Sequence, residues 1–157
     1  MPFVIRDFKT EDFEILWRMD QECFPPGIAY SRQELKVYVR NRRSFTLVAV
    51  EVADGTGEDG NEEKIAGFIV THGGATGHII TIDVAPWARR SGVGSLLLRA
   101  AEERLCAAGS QAVGLETAVD NLSALSFYKG HGYSVIKTWP RYYSNGVDAL
   151  VMEKELV

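Results

Sequence analysis

Two arginines and two glycines fall within six positions, Arg89-Arg90-Ser91-Gly92-Val93-Gly94. Residues of these types at this spacing can hold an anion. The glycines leave backbone N–H groups open, the arginines add positive charge, and a phosphate or pyrophosphate accepts from both. Further on, Glu116 stands near a strand end beside small residues, where a carboxylate can take up a proton. Spacing alone leaves it equally readable as an exposed strand-end glutamate. Asn121, Ala124 and Tyr128 recur three and four residues apart, so they share one face of a short helix. By itself Tyr128 reads as an amphipathic core tyrosine. Phe24-Pro25 with Tyr30, and Tyr142-Tyr143, are aromatic groups with polar tips that can line a groove, though each taken singly reads as an ordinary half-buried ring.

The elements that must position these groups follow from hydrophobic period and punctuation. Ile80, Ile82 and Val84 alternate with Thr81 and Asp83, the two-residue period of a strand. After the glycine turn, Val93, Leu96, Leu97, Ala100, Ala101, Leu105 and Ala108 recur at helical spacing, predicting a helix over 95–108 that Gly109 stops. Before this unit come a strand over 3–8 and a helix over 11–23 with Thr10 as its N-cap. Phe24-Pro25-Pro26-Gly27 breaks that helix, and Ser31-Arg32-Gln33-Glu34 opens a second one, to about Arg43, with a capping box. Strands are expected over 45–52, 65–72 and 112–117, and a short helix over 121–129 ends at Gly130. Strands over 133–143 and 147–156 are expected to join at Asn145-Gly146, a strong hairpin signal. The order β-α-α-β-β-β-α-β-α-β-β predicts an α/β (α+β) fold, a mixed, largely antiparallel central sheet flanked by helices.

Bulk properties narrow the class. At 157 residues the chain suits one domain, 1–157, able to bury a core without staples. A net charge of −4 argues against nucleic acid as a partner. No apolar run approaches membrane-spanning length, and Met1–Arg6 lacks the basic-then-apolar pattern of a signal peptide. Cys23 and Cys106 are isolated, and His72, His78 and His131 form no metal-spaced set. We therefore expect no disulfide and no metal, structural or solvent-facing histidines, and a reducing cytoplasmic setting. Asp54–Glu63 is a polar glycine loop, expected as a mobile acidic hairpin tip; its oxygens lack the spacing of a calcium loop.

The glycine turn is not a dinucleotide fingerprint, because the third glycine is missing, and it lacks the lysine and hydroxyl of a P-loop. A Rossmann-type oxidoreductase is thereby discounted. Val84-x-Pro86-x-x-Arg89-x-x-Gly92-x-Gly94, entered from a strand and leading into a helix, instead resembles the acetyl-CoA site of the GNAT superfamily of N-acetyltransferases. The similarity continues through Leu115-Glu116-Thr117, Asn121, Ala124, Phe127-Tyr128 and Gly132-Tyr133. The tail from Tyr142-Tyr143-Ser144-Asn145-Gly146 to Met152 is similar to the branch of ribosomal-protein alanine N-acetyltransferases and protein N-terminal acetyltransferases.

This resemblance implies an acetyl-CoA cosubstrate and direct attack of an amine on the thioester. Ile82 and Val84 would hold the acetyl end by strand N–H groups; Arg89, Arg90, Ser91, Gly92, Val93, Gly94 and Ser95 would hold the pyrophosphate, with Asn121 and Tyr128 also at the cofactor. Glu116 corresponds to the proposed base, and Tyr128 to the proposed proton donor to the thiolate. Phe24, Pro25, Tyr30, Tyr142 and Tyr143 would form the acceptor walls. The implied acceptor is a protein or peptide N-terminus. An α-amine, with a pKa of about 7.7–8.0 against about 10.4 for lysine, is far easier to deprotonate at neutral pH. A small amine such as a polyamine, amino acid or antibiotic is the first competitor, and a non-catalytic acyl-CoA-binding module the second. The chain would act as a monomer or homodimer. The Pro-Gly-Ile-Ala segment after Pro25 and the acidic loop depart from the family pattern, and both bear on the substrate more than on the chemistry.

Overall fold

A computed structural model describes residues 3–52 and 63–156. Its strands are β1 (Phe3–Asp7), β2 (Ser44–Val52), β3 (Glu63–His72), β4 (Thr76–Val84), β5 (Ala112–Ala118), β6 (Ser134–Trp139) and β7 (Ala149–Glu155). Its helices are α1 (Phe13–Cys23), α2 (Arg32–Arg40), α3 (Val93–Ala107) and α4 (Leu122–Gly130). The strands form one sheet ordered β1-β2-β3-β4-β5-β7-β6, antiparallel throughout except between β4 and β5. The expected element order and mixed sheet are both present.

Helices cover both faces, which is why β2 and β3 carry continuous runs of buried residues instead of an alternating pattern. On one face Leu16 and Met19 of α1 and Leu35 of α2 pack against Val48, Val50, Phe68 and Val70. On the other, Leu97, Leu98, Ala101 and Leu105 of α3 pack against Leu47, Ala49, Ile69 and Val113. Each such large apolar side chain contributes roughly 1.5–3 kcal/mol by leaving water.

The parallel junction shapes the molecule's centre. Only Thr76–His78 of β4 pair with Ala112–Gly114 of β5. Beyond these the two strands part and leave a cleft between them. A bulge adds to the divergence: Val70 faces Thr81 while Thr71 faces Ile79, so Ile80 is the extra residue. Ile80 then turns its carbonyl to the Tyr30 hydroxyl, 3.2 Å away.

Local chemistry explains where several boundaries differ from the sequence expectation. Thr10 is not the cap of α1; Thr10–Asp12 is a short 3-10 turn, and the Asp12 carboxylate accepts the Lys9 N–H at 2.8 Å. The second helix ends at Arg40, because the Asn41 side chain accepts the Arg43 N–H at 2.9 Å and turns the chain. β4 begins at Thr76, before its apolar pattern, and α3 begins at Val93, two residues before the expected start at 95. Asn145-Gly146 does not join two long strands. β6 ends at Trp139, opposite Ala149, before Pro140, and the turn lies inside the connection 140–148, where the Gly146 N–H donates to the Tyr143 carbonyl at 2.9 Å. Of the expected loop tip, residues 54–62 lie outside the described residues and Glu63 belongs to β3.

Candidate active site

The cleft between the parted ends of β4 and β5 has a volume of about 860 Å³ and runs from the glycine turn to the two tyrosines of the β6–β7 connection. At its first end, Gly92 is the N-cap of α3 with φ +87°, a left-handed conformation that glycine adopts without strain. The first intrahelical bond runs from the Leu96 N–H to the Gly92 carbonyl at 3.0 Å, so the N–H groups of Val93, Gly94 and Ser95 precede the helical ladder. Arg90 also has positive φ, at 63°, and both Arg89 and Arg90 line the cleft. Open N–H groups, a helix N-terminus and two guanidinium groups together suit a pyrophosphate.

Gly94 has a separate reason to be glycine. A Cβ there would lie 3.3 Å from the Phe127 ring, so its absence lets α4 approach α3. Ser91 does not line the cleft; its hydroxyl is turned back onto the Ala88 carbonyl. Ser95 lines the cleft, but its hydroxyl is engaged 2.9 Å from His131 Nε2. Burial pulls that imidazole below its ordinary value.

Along the middle run Ile82 and Val84, both lining the cleft. Backbone polar groups of alternate residues point to the same strand edge. Ile80 and Val84 both direct carbonyls away from β3, to the Tyr30 hydroxyl and to the Cys23 thiol at 3.4 Å. Ile82 shares that edge, which β5 leaves unpaired. On the opposite wall, Asn121 caps α4, its side-chain oxygen accepting the Ala124 N–H at 3.2 Å. That helix brings Tyr128 to the cleft with its ring edge-on to Phe127 and Tyr133. Burial pushes the Tyr128 phenol far above its ordinary value, so it stays a donor.

At the other end Glu116 projects from β5 with its side chain 14 % exposed. Val113, Leu115 and Thr117 are buried on the opposite face, as the alternation predicts. Glu116 Oε2 lies 2.8 Å from His78 Nε2, and Glu116 Oε1 accepts the Tyr142 hydroxyl at 3.3 Å. His78, expected as a structural or solvent-facing histidine, has its side chain 39 % exposed and also meets Glu116. It is the last β4 residue paired with β5, and that non-local register sets it beside Glu116. Burial, then the charge of Glu116, raises the Tyr142 phenol to about 12.

Phe24, Pro25, Tyr30, Tyr142 and Tyr143 all line this end. The two segments that carry them touch, the Ser144 N–H donating to the Gly27 carbonyl at 3.2 Å. Gly27, at φ +88°, would place a Cβ 2.8 Å from Asn145. The Pro-Gly-Ile-Ala departure is thus where the two loops meet.

This arrangement, an anion-binding turn joined by a parted strand pair to a carboxylate and a phenol, is that of an acyl-transfer site. The profile of the acetyltransferase (GNAT) family matches residues 13–133. The chain is 31% identical over 125 residues to N-alpha-acetyltransferase 30 of Schizosaccharomyces pombe, covering 76% of this chain and 77% of that one. Among solved structures, Ard1 from Thermoplasma volcanium matches with a TM-score of 0.85 at 25% identity, over 100% of this chain and 99% of that one. A chain of the NatC complex bound to Gag peptide and CoA matches with a TM-score of 0.78 at 25% identity, over the full length of both. The chain belongs to the GNAT acetyltransferase family and is an N-acetyltransferase.

Proposed function

We propose that the chain transfers the acetyl group of acetyl-CoA directly to the N-terminal α-amine of a protein or peptide. The observation that carries this reading is the cleft between β4 and β5, with the helix N-terminus of α3 at one end and Glu116, held by His78 and Tyr142, at the other. The residues fit acetyl-CoA: the N–H groups of 93–95 with Arg89 and Arg90 match its pyrophosphate, and the open edge of β4 at Ile82 and Val84 matches an extended amide-bearing arm. When bound, acetyl-CoA supplies an activated acyl group and a thiolate leaving group.

The chain's own residues then divide the work. Glu116 takes the proton that an ammonium group must lose before its nitrogen can attack the thioester carbonyl. His78 holds that carboxylate from the other strand. N–H groups on the open β4 edge stabilise charge developing on the carbonyl oxygen. As the new C–N bond forms and the C–S bond breaks, Tyr128 donates to the departing sulfur. Phe24, Pro25, Tyr30, Tyr142 and Tyr143 line the path of the acceptor.

An α-amine suits a carboxylate base better than lysine does, since roughly a tenth of it is neutral at pH 7. Relatives named for N-alpha-acetylation and a structural neighbour bound to a peptide support the same acceptor class. The free thiols of Cys23 and Cys106 suit the reducing cytoplasm we propose as its setting. Thiol release from acetyl-CoA, followed with a panel of short peptides and small amines, tests the reading. Turnover with peptide N-termini is expected. Turnover with polyamines alone would transfer the activity to small amines, and coenzyme binding without any turnover would make the chain a regulatory module.

A further inference from the structure

Two carboxyl groups lie wholly inside the protein and have no part in the chemistry above. Asp20, one turn from the end of α1, is 0% exposed, and Asp83, next to last in β4, is 1% exposed. Each has one oxygen engaged. Asp20 Oδ2 accepts the Tyr30 backbone N–H at 2.8 Å, and Asp83 Oδ1 accepts the Thr81 hydroxyl at 2.6 Å. The remaining oxygens, Asp20 Oδ1 and Asp83 Oδ2, are buried without a donor. Among the described residues neither side chain is ion-paired, yet the two are within hydrogen-bonding reach of each other.

Two ionised carboxylates cannot face each other out of water, because desolvation and mutual repulsion act together. A single proton between them supplies the donor that both orphan oxygens lack. The Tyr30 N–H favours the ionised form of Asp20, which makes Asp83 the donor. Burial and the adjacent Asp20 hold the Asp83 carboxyl well above the ordinary carboxylate range, in agreement. The other titratable groups within electrostatic reach of Asp83 are the Cys23 thiol from α1, beyond which Arg89 lies 3.8 Å from Sγ, and the Tyr128 phenol from α4.

Tyr30 is the residue this pair controls. Its N–H is held by Asp20, its carbonyl accepts Trp17 Nε1 at 3.2 Å and Gln21 Nε2 at 2.7 Å, and its hydroxyl donates to Ile80 at the bulge. We infer that Asp20 and Asp83 share one proton and act as a positioning clasp, locking the α1–α2 loop and Tyr30 onto the bulged strand β4 at the acceptor end of the cleft. The consequence for acceptor binding rests on the function proposed above; the shared proton and the fixing of Tyr30 do not.

The test joins infrared spectroscopy, amide exchange and kinetics on the full chain. Wild-type protein at neutral pH should show the C=O band of a buried protonated carboxyl, lost in Asp83→Asn. Exchange of the Tyr30 amide should stay slow in wild type and in Asp83→Asn, whose amide can still donate to Asp20, and should quicken at least tenfold in Asp83→Ala. With an acetylated peptide identified, Asp83→Ala should raise the acceptor KM roughly tenfold, Asp83→Asn less than twofold, and neither should change the KM for acetyl-CoA. Absence of the band in the wild type, which needs no variant to fold, would overturn the shared proton. Unchanged Tyr30 exchange or acceptor KM in Asp83→Ala would overturn the clasp. Failure of the acceptor reading looks different: no amine turns over, while the band and the Tyr30 exchange still decide the pair.

Discussion

His78 and Glu116 meet across the parted strands, His78 Nε2 2.8 Å from Glu116 Oε2 at the last point where β4 and β5 still pair. The junction that opens the cleft therefore also sets the geometry of Glu116. Glu116→Gln should lower kcat about a hundredfold or more, in the range of a lost general base. His78→Gln should lower it less, because the carboxylate remains and loses only its orientation. Steady-state thiol release over a pH series measures both; equal activity of Glu116→Gln and wild type at every pH would remove Glu116 from the mechanism.

Tyr128 separates chemistry from packing cleanly. Its ring is wedged between Phe127 and Tyr133, and Phe keeps those contacts. Tyr128→Phe should hold the melting temperature within a few degrees while kcat falls about tenfold or more, most strongly for poor thiol leaving groups. Since burial keeps the phenol protonated far above its ordinary range, no loss of activity up to about pH 10 should trace to this residue.

The two glycines of the turn should fail differently. Gly92→Ala forces a side chain into φ +87° with open space around it, costing about 1 kcal/mol and disturbing the N–H groups at the start of α3 that we propose receive the pyrophosphate. Its main effect should be a raised KM for acetyl-CoA. Gly94→Ala instead pushes against the Phe127 ring, so it should also shift Tyr128 and lower kcat. Initial rates at varied acetyl-CoA distinguish the two patterns.

An ion pair far from the cleft gives a pH signature of folding. Arg6 and Asp12 join by a double hydrogen bond, at 2.8 and 2.9 Å, with both side chains mostly buried. Burial alone would raise the Asp12 carboxyl, but Arg6 and the Lys9 N–H hold it below its ordinary value. A depressed acid contributes stability above its unfolded pKa of about 3.9 and loses it as pH falls through the folded value. Arg6→Ala should therefore cost about 3 kcal/mol at pH 7 and progressively less below about pH 4. Urea unfolding at the two pH values reads the difference.

What could be read from the sequence was what local chemistry encodes. The capping box at Ser31, the glycine turn leading into α3 and the place of Glu116 near a strand end beside small residues depend on neighbours within a few residues. His78 escaped because its importance comes from a parallel register with a strand more than thirty positions away. A histidine directly before the apolar run of β4 was the available hint. Asp83 escaped for a related reason. Alternation in β4 marks Thr81 and Asp83 as the polar face, yet α1 covers that face and supplies Asp20, so both polar residues are buried. The Asn145-Gly146 signal predicts a strand joint, whereas β6 ends before Pro140 and the turn lies inside the connection 140–148.

The central claim is that an α-amine is the acceptor, and one measurement addresses it most directly. A short peptide with a free N-terminus and one internal lysine, incubated with the enzyme and acetyl-CoA at pH 7, is mapped by tandem mass spectrometry. Acetyl on the α-amine, with the lysine unmodified, is the predicted result. Acetyl on the lysine side chain with the N-terminus left free would contradict it.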